Sequence, residues 1–385
     1  MERIKYSIAT SWEEALIKAI RNLNDESQDA KIEEIYGSFK SSIVGSGRHS
    51  WRLPDVSSKK AESFIKQAHN IGLTFNWMLN APDFQDKEKD SSWLGRVFEF
   101  IEYLGSIGVD ILTIAHPFLI KIVKSGFPSF KIRVSLIAGV DTPEKARKYE
   151  DMGVDSITLN PHTVNRDFET LISIREAVDC GLGLYTNIPC LDQCRWRNEH
   201  YKFIGNTSQE GKSFKKAHID PFLAMCSLVY LREPLQLLKS PFIRPEDIET
   251  YKDLGINFFK LSDRAEKSGF LIKTAKAYMN RSYEGDLFKL IFRNGSKLKV
   301  NLQFKNEKIN SLDIPITISN NILTELKFIE HIKNLKGEEL DKFYETVTEK
   351  AVVFKDRGSL QKVENALKST LKSFREEVRE IKSST

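Results

Sequence analysis

The sequence predicts an α/β fold, a (β/α)8 TIM-like barrel with a long cysteine-bearing insertion after strand seven and a small α+β carboxyl-terminal extension. Three observations predict it. Eight short β-branched runs alternate with helical patterns, helix start and stop signals fall between them, and no G-x-G-x-x-G follows the first run. An open doubly wound sheet is the alternative, and the missing fingerprint disfavours it.

The strand runs are IKYSIAT (4–10), IEEIYGS (32–38), LTFNWMLN (73–80), ILTIAH (111–116), IRVSLIAG (132–139), SITLNP (156–161), GLYTN (183–187) and FFKLSD (258–263). Between them, Asp141-Thr142-Pro143 opens a helix that Gly153 closes, because proline is tolerated in a first turn and glycine accepts the left-handed stop. Phe168 to Gly181 and the run 244–255 read as two more helices. In this fold the active site lies at the carboxyl ends of the strands. Ser38, Asn80, His116, Asn160, Asn187 and Asp263 end predicted strands there. Each is also an ordinary turn residue, so only their convergence would make a site.

One connection is too long for a barrel loop, residues 188–243, and it carries Cys190, Cys194 and Cys226. The predicted organisation is therefore a barrel over 1–283 with a cluster-binding insertion at 188–243, followed by an extension over 284–385. Within that extension LFKLIF (287–292), Asn294-Gly295 and LKVNLQF (298–304) read as a β-hairpin. The final helix carries a stripe of Leu360, Val363, Leu367, Leu371, Phe374, Val378 and Ile381, expected to dock onto its own chain.

The chain has 385 residues, 58 basic against 53 acidic, a formal net charge of +5, and 41% hydrophobic with 29% charged residues. That is the balance of a globular protein, and its interleaved charges do not favour nucleic acid as a partner. No run is long enough for a transmembrane helix and the start shows no signal peptide pattern, so the expected location is cytoplasmic with no membrane partner.

All four cysteines lie between positions 180 and 226, which in a cytosolic chain points to metal or redox chemistry. Cys180 precedes strand seven and Cys190 follows it, and a strand of six residues spans about 20 Å. One cluster does not reach both ends, so Cys180 is expected to be structural. Three thiolates suit a [4Fe–4S] cluster with one iron not held by cysteine, or zinc with a fourth ligand from His200, His218, Asp192 or Glu199. A chain without metal remains the third option. The C-x3-C-x2-C spacing of radical S-adenosylmethionine enzymes is not met, since Arg197 stands at the third position. Zinc-protease, phosphate-loop and nucleophile-elbow motifs are absent.

Several segments together resemble the collagenase-like peptidase family (peptidase family U32). They are EIYGS (34–38), GSGR (45–48), NRDFETLISIR (165–175), TNIPCLDQCRWRNEHY (186–201), MCSLVYL (225–231) and FIRPEDIETYKDLGINFFKLSDR (242–264), the last running into a helix that contains AKAYMN (275–280). The resemblance covers roughly residues 1–283 and implies a (β/α)8-like barrel. It also implies an iron–sulfur branch of oxygen-independent hydroxylases, in which Cys190, Cys194 and Cys226 match three of four cluster cysteines and Cys180 does not match the fourth.

The expected function is thus an iron–sulfur-dependent redox or hydroxylation-type enzyme acting on a small molecule or peptide. The alternatives are a peptidase, as the family name says, an RNA-modifying hydroxylase, or a non-catalytic iron–sulfur partner subunit. His116, His200 and Arg264 are the candidate catalytic residues. Arg48, Asn160, Arg166, Asp167 and Lys260 are the candidate substrate-binding residues, and Cys190, Cys194 and Cys226 the candidate metal ligands. Expected partners beyond substrate are an electron donor and a second subunit, of the same or another kind.

Overall fold

The computed structural model describes residues 3–211, 220–292, 297–298, 302–304, 307–309 and 312–383. Its eight central strands are β1 (Ile4–Ala9), β2 (Ala30–Gly37), β3 (Thr74–Leu79), β4 (Ile111–Ile114), β5 (Lys131–Val134), β6 (Ser156–Thr158), β7 (Gly181–Tyr185) and β8 (Phe258–Leu261). They close into one parallel barrel in chain order, with β8 pairing back onto β1 through Lys5 opposite Phe258 and Ile8 opposite Leu261. Every predicted strand is present, but the run 132–139 pairs only as far as Val134, because Ser135 caps a 3-10 turn at Leu136–Ala138. The polar residues expected at strand ends mostly fall just beyond the pairing.

The local signals act as their chemistry requires. Thr142 accepts a hydrogen bond from Lys145 N and Pro143 occupies the first turn of helix Pro143–Glu150. Gly153 then turns the chain at φ +78°. At the end of β2, a Cβ on Gly37 would meet Thr10 Cγ2 and Trp12 at 2.8 Å, so only glycine lets that strand pass the aromatic packing of Trp12, Phe64, Phe75 and Trp77.

The chain divides into two compact units. The barrel unit comprises Met1–Asn187, Arg197–Ser213 and Phe242–Ser282, and the second unit Ile188–Trp196, Phe214–Pro241 and Tyr283–Thr385. The insertion is therefore shared. Helix Arg197–Thr207 belongs with the barrel, whereas the segments bearing Cys190, Cys194 and Cys226 belong with the carboxyl-terminal residues.

In the second unit one expectation is corrected. LFKLIF does not form a strand: Leu287–Ile291 is a short helix whose first turn Asp286 caps by accepting from Phe288 N, and Leu287, Phe288, Leu290 and Ile291 are all buried. So short a run, with Lys289 its one polar residue, has no clear period to distinguish strand from helix, and the cap decides it. Asn294-Gly295 lies outside the described residues. Antiparallel pairing occurs instead between Leu302–Phe304 and Glu307–Ile309, between Lys297–Leu298 and Leu312–Asp313, and between Ile316–Ile318 and Val352–Phe354.

The final helix Arg357–Ser383 docks on its own chain, as its stripe predicts. Val363 and Leu367 are buried with Ala224 of helix Pro221–Arg232, and Leu228, Leu231 and Leu371 pack around them. Among the described residues no helix is long and apolar enough to cross a membrane. Since Leu367 is buried in this contact, Leu367→Ala should lower stability by roughly 2–4 kcal/mol, read as a fall in the denaturant midpoint of the full chain.

Candidate functional site

The barrel interior is built in layers of inward-pointing side chains. The lower one is a closed polar network around Glu34 of β2. Ser7 Oγ donates to Glu34 Oε1 at 2.5 Å, Asn76 Nδ2 at 2.9 Å, and Arg133 Nη1 reaches both carboxylate oxygens at 2.7 and 2.6 Å. Thr113 Oγ1 in turn donates to Asn76 Oδ1 at 2.8 Å. Burial works to raise the Glu34 pKa, but Arg133, then Lys260 and the two hydrogen bonds outweigh it and hold it below the usual carboxylate value.

Lys260 of β8 is also buried inside the barrel. Its ammonium lies 3.9 Å from the centre of the Tyr36 ring and 3.5 Å from Met78 Sδ. Burial lowers its pKa from the ordinary 10.5 to about 7; Glu34 works against this, while Arg133 and Arg264 add to it. Among the described residues no hydrogen bond or ion pair joins Lys260 to Glu34, whose carboxylate is engaged by Arg133.

Arg48, Asp263 and Arg264 meet at the carboxyl end. Arg48 Nε donates to Asp263 Oδ1 at 2.7 Å. Arg264 donates to the hydroxyls of Ser38 and Ser46. Tyr36 Oη donates to the Leu261 carbonyl at 2.8 Å and lies 3.4 Å from the Tyr185 hydroxyl. Burial would lower the Arg48 pKa, but Asp263 more than compensates and keeps the guanidinium charged. For Arg264, burial followed by Arg48 outweighs the opposing pull of Tyr36 and Asp263 and brings it down to about 10. Among the described residues this network sets the basic side chains of Arg48, Arg133, Lys260 and Arg264 against the carboxylates of Glu34 and Asp263, with Glu34 engaged by Arg133 and Asp263 by Arg48.

The strand-end residues place these groups. Asn80 Oδ1 accepts from Gly47 N at 2.8 Å and Ser208 Oγ from Ser46 N at 2.7 Å, so the loop carrying Arg48 is held from two sides. A Cβ at Gly47 would lie 2.8 Å from Ile137 Cδ1, which is why the loop can approach Asn80 so closely. Asn187 Oδ1 accepts from Ser262 N at 2.8 Å while its Nδ2 donates to Ser262 O at 3.1 Å, fixing the segment that continues into Asp263 and Arg264.

Of the residues singled out from sequence, Arg48, Lys260 and Arg264 come together in the barrel with Ser38 and Asp263. The others stand elsewhere in the barrel unit. His116 precedes helix Pro117–Gly126 and stacks on Phe84 with ring centres 4.6 Å apart; burial lowers its pKa. Asn160 caps helix Pro161–Val164 by accepting from His162 N and donates to Asp141. Asp167 caps helix Phe168–Ala177 by accepting from Thr170 N, and Arg166 lies over the Phe242 ring at 4.8 Å. These contacts give Asn160, Arg166 and Asp167 structural work instead of a place beside Lys260. His200, on helix Arg197–Thr207, has a ring nitrogen within 4.8 Å of one on His49. His49 itself accepts or donates at Thr207 Oγ1, 2.7 Å away, and stacks on Trp51. His218 lies outside the described residues.

Sequence reasoning did not single out Glu34, Arg133, Tyr36 and Tyr185. The available signal was alternation: Glu34 and Tyr36 are two apart on β2 and so share the inward face.

The second unit gathers the cysteines. The Cys190 segment is tied down by Gln236 Oε1 accepting from Asp192 N at 3.1 Å and by Ser240 Oγ donating to the Ile188 carbonyl at 3.3 Å. Asp220 caps the helix bearing Cys226 by accepting from Phe222 N and Leu223 N. The Cys226 and Cys194 thiols are hydrogen-bonded, and this bond, burial and the charges of Cys190 and Cys194 raise the Cys226 pKa far above the usual thiol value. Tyr230, one turn on from Cys226, is buried beside them, and its pKa is raised by burial first and then by Cys190 and Cys226. No disulfide joins the four cysteines. Cys180 is apart from this group, next to Glu150, with burial the main cause lifting its pKa to about 12.

Residues 26–180 match the model of peptidase family U32. An uncharacterized protease of Methanocaldococcus jannaschii is 28% identical over 275 residues, which is 71% of this chain and 80% of that protein. The chain is thus similar to the U32 family over its barrel unit. A solved structure of a U32 peptidase aligns over 68% of this chain and 93% of its own at a TM-score of 0.48 and 18% identity. The U32 match falls entirely within the barrel unit and includes Glu34, Tyr36, Arg48 and Arg133, while Lys260 and Arg264 lie beyond it.

Lys260 holds its proton less tightly in the folded barrel than in an unfolded chain. Between about pH 7 and 10.5 the unfolded state therefore carries more protons, and stability rises with pH across that window. The stability gain of Lys260→Met over wild type should grow as pH falls through the window and level off below it. Urea midpoints across the range check this, and a difference that stays flat refutes the depressed lysine.

Proposed function

We propose that this U32-family enzyme binds a carboxylate-bearing substrate in the barrel and performs redox or hydroxylation-type chemistry with a [4Fe–4S] cluster held by Cys190, Cys194 and Cys226. The observation that carries the substrate class is the surplus of buried positive charge. Arg264 and Lys260 have no carboxylate of their own among the described residues, and a buried cation without a counter-charge is costly unless a ligand supplies one. A substrate carboxylate received by Arg264 would complete the pairing that Asp263 gives Arg48.

The cysteine donors fit a metal group chemically. Three neighbouring thiols suppress one another's ionisation, as the raised Cys226 pKa reports, and a bound cation reverses that balance. Three soft sulfur ligands suit an iron–sulfur cluster or zinc with one further ligand. When bound, a cluster of this kind would supply electron transfer or a Lewis-acidic iron. Within the barrel, Arg264 would bind and orient the substrate anion, Arg48–Asp263 would fix the adjoining wall, and the Tyr36–Lys260 stack would close the site from below.

The second reading is a peptidase, and the comparisons favour it by name: the matching family is called a peptidase family and the archaeal relative an uncharacterized protease. A peptide's terminal or side-chain carboxylate would meet the same cationic site. Neither a zinc-protease motif nor a nucleophile elbow accompanies it in the sequence. The two readings separate on metal content and on cleavage.

Protein purified without oxygen should be brown, with about four irons per chain. Colour should be lost in Cys190→Ala, Cys194→Ala and Cys226→Ala and kept in Cys180→Ala. Colourless, metal-free protein that cleaves peptides with a free carboxylate and spares their amidated forms would replace the first reading with the second. In either case malonate should raise the melting temperature of wild type, and Arg264→Gln should weaken its binding roughly tenfold, the scale of one lost charged hydrogen bond. Unchanged affinity would remove the carboxylate site.

A further inference from the structure

Lys260 is the one group in the barrel whose surroundings suit a chemical role that ion pairing does not explain. Its amine projects from β8 into the interior, where it faces an aromatic ring at 3.9 Å and a thioether at 3.5 Å. The charged groups around it are Glu34, Arg133 and Arg264. Glu34 is held by four hydrogen bonds from Ser7, Asn76 and Arg133, and the two arginines repel a proton on the amine. A lysine used only to neutralise a carboxylate would be bonded to one. This lysine is instead kept in apolar company beneath an arginine with spare charge.

We propose that Lys260 is a nucleophilic amine that forms a reversible imine with the carbonyl carbon of an oxo acid whose carboxylate is received by Arg264. This rests on the carboxylate reading above and extends it by naming the substrate class and the bonding atom. The Nζ lone pair adds to the carbonyl carbon, forming the C–N bond while the carbonyl π pair moves to oxygen. That oxygen takes up a proton and the nitrogen loses one, giving a carbinolamine. Protonation of its hydroxyl then releases one water as the C=N bond forms. No electrons are gained or lost overall, so the step needs no oxidant or reductant. The chemistry requires an uncharged amine, and burial beside two guanidinium groups supplies it near neutral pH.

The test is reductive trapping on the full chain, purified without oxygen, at neutral pH. Glyoxylate, the smallest oxo acid, is added with cyanoborohydride, which reduces an imine to a stable carboxymethyl-lysine located by peptide mass mapping. Lys260 should be modified at least roughly tenfold faster than exposed lysines, whose amines stay protonated near their usual value of about 10.4. Formaldehyde, a carbonyl without a carboxylate, provides the second arm. Arg264→Gln should slow labelling of Lys260 by glyoxylate well beyond the smaller slowing seen with formaldehyde, which reports only the firmer hold on the amine proton once one guanidinium is gone. Exposed lysines labelled while Lys260 stays unmodified by both reagents would overturn the proposal, and retained malonate binding in that case would leave the carboxylate site standing. Labelling of Lys260 that Arg264→Gln changes to the same extent with both reagents would keep the nucleophile and remove the carboxylate reading. The wild-type comparison decides the nucleophile even where the variant does not fold.

Discussion

The bidentate Arg133–Glu34 pair is the constraint on which the barrel site depends. It ties β5 to β2 across the interior, and Ser7 and Asn76 add bonds from β1 and β3. Burying an ion pair is costly unless every lone pair and proton is satisfied, and here the hydrogen bonds supply that satisfaction. Its consequence is felt one layer up. Lys260 makes no hydrogen bond to Glu34 and has a ring and a sulfur for near neighbours, and burial, with Arg133 and Arg264 nearby, leaves its proton loosely held. A structural network and a candidate reactive amine therefore follow from the same carboxylate.

The second unit solves a different problem with helix Pro221–Arg232. Ala224, Leu228 and Leu231 recur at helical spacing and pack on the final helix. Cys226 and Tyr230, also one turn apart, face the Cys190 and Cys194 thiols. A helix apolar on more than one side has to be covered on more than one side. The carboxyl-terminal stripe covers one flank and the cysteine segment the other, which explains why Ile188–Trp196 belongs with residues far along the chain and not with β7, from which it emerges.

The barrel was legible because its signals are local. β-branched runs, a Thr-Pro helix start and glycine stops need only neighbours in sequence to act. The separation of Cys180 from the other three cysteines was also legible, since a strand of known rise stands between Cys180 and Cys190. The strand ends place Ser38, Asn80, Asn187 and Asp263 around the loop and segment that carry Arg48 and Arg264, whereas His116 and Asn160 stand at helix starts. A histidine or asparagine after a strand can equally start the next helix, and the local hydrogen bond to His162 N settles Asn160. The run LFKLIF failed as a strand for the same kind of reason: with Lys289 its one polar residue it shows no clear period, and the Asp286 cap selects a helix.

By itself the sequence determined the eight strands, their order, the grouping of three cysteines and the use of the final helix as a packing element. Each follows from periodicity or from spacing along one chain. Only the tertiary structure decided which charges meet. Glu34 and Arg133 stand 99 positions apart, Arg48 and Asp263 215, and nothing in either's local sequence names its partner. Closing the barrel sets those pairs and leaves Arg264 and Lys260 over. Ion pairing depends on distances of a few ångströms in a medium of low dielectric, and those distances exist only once β8 has paired with β1.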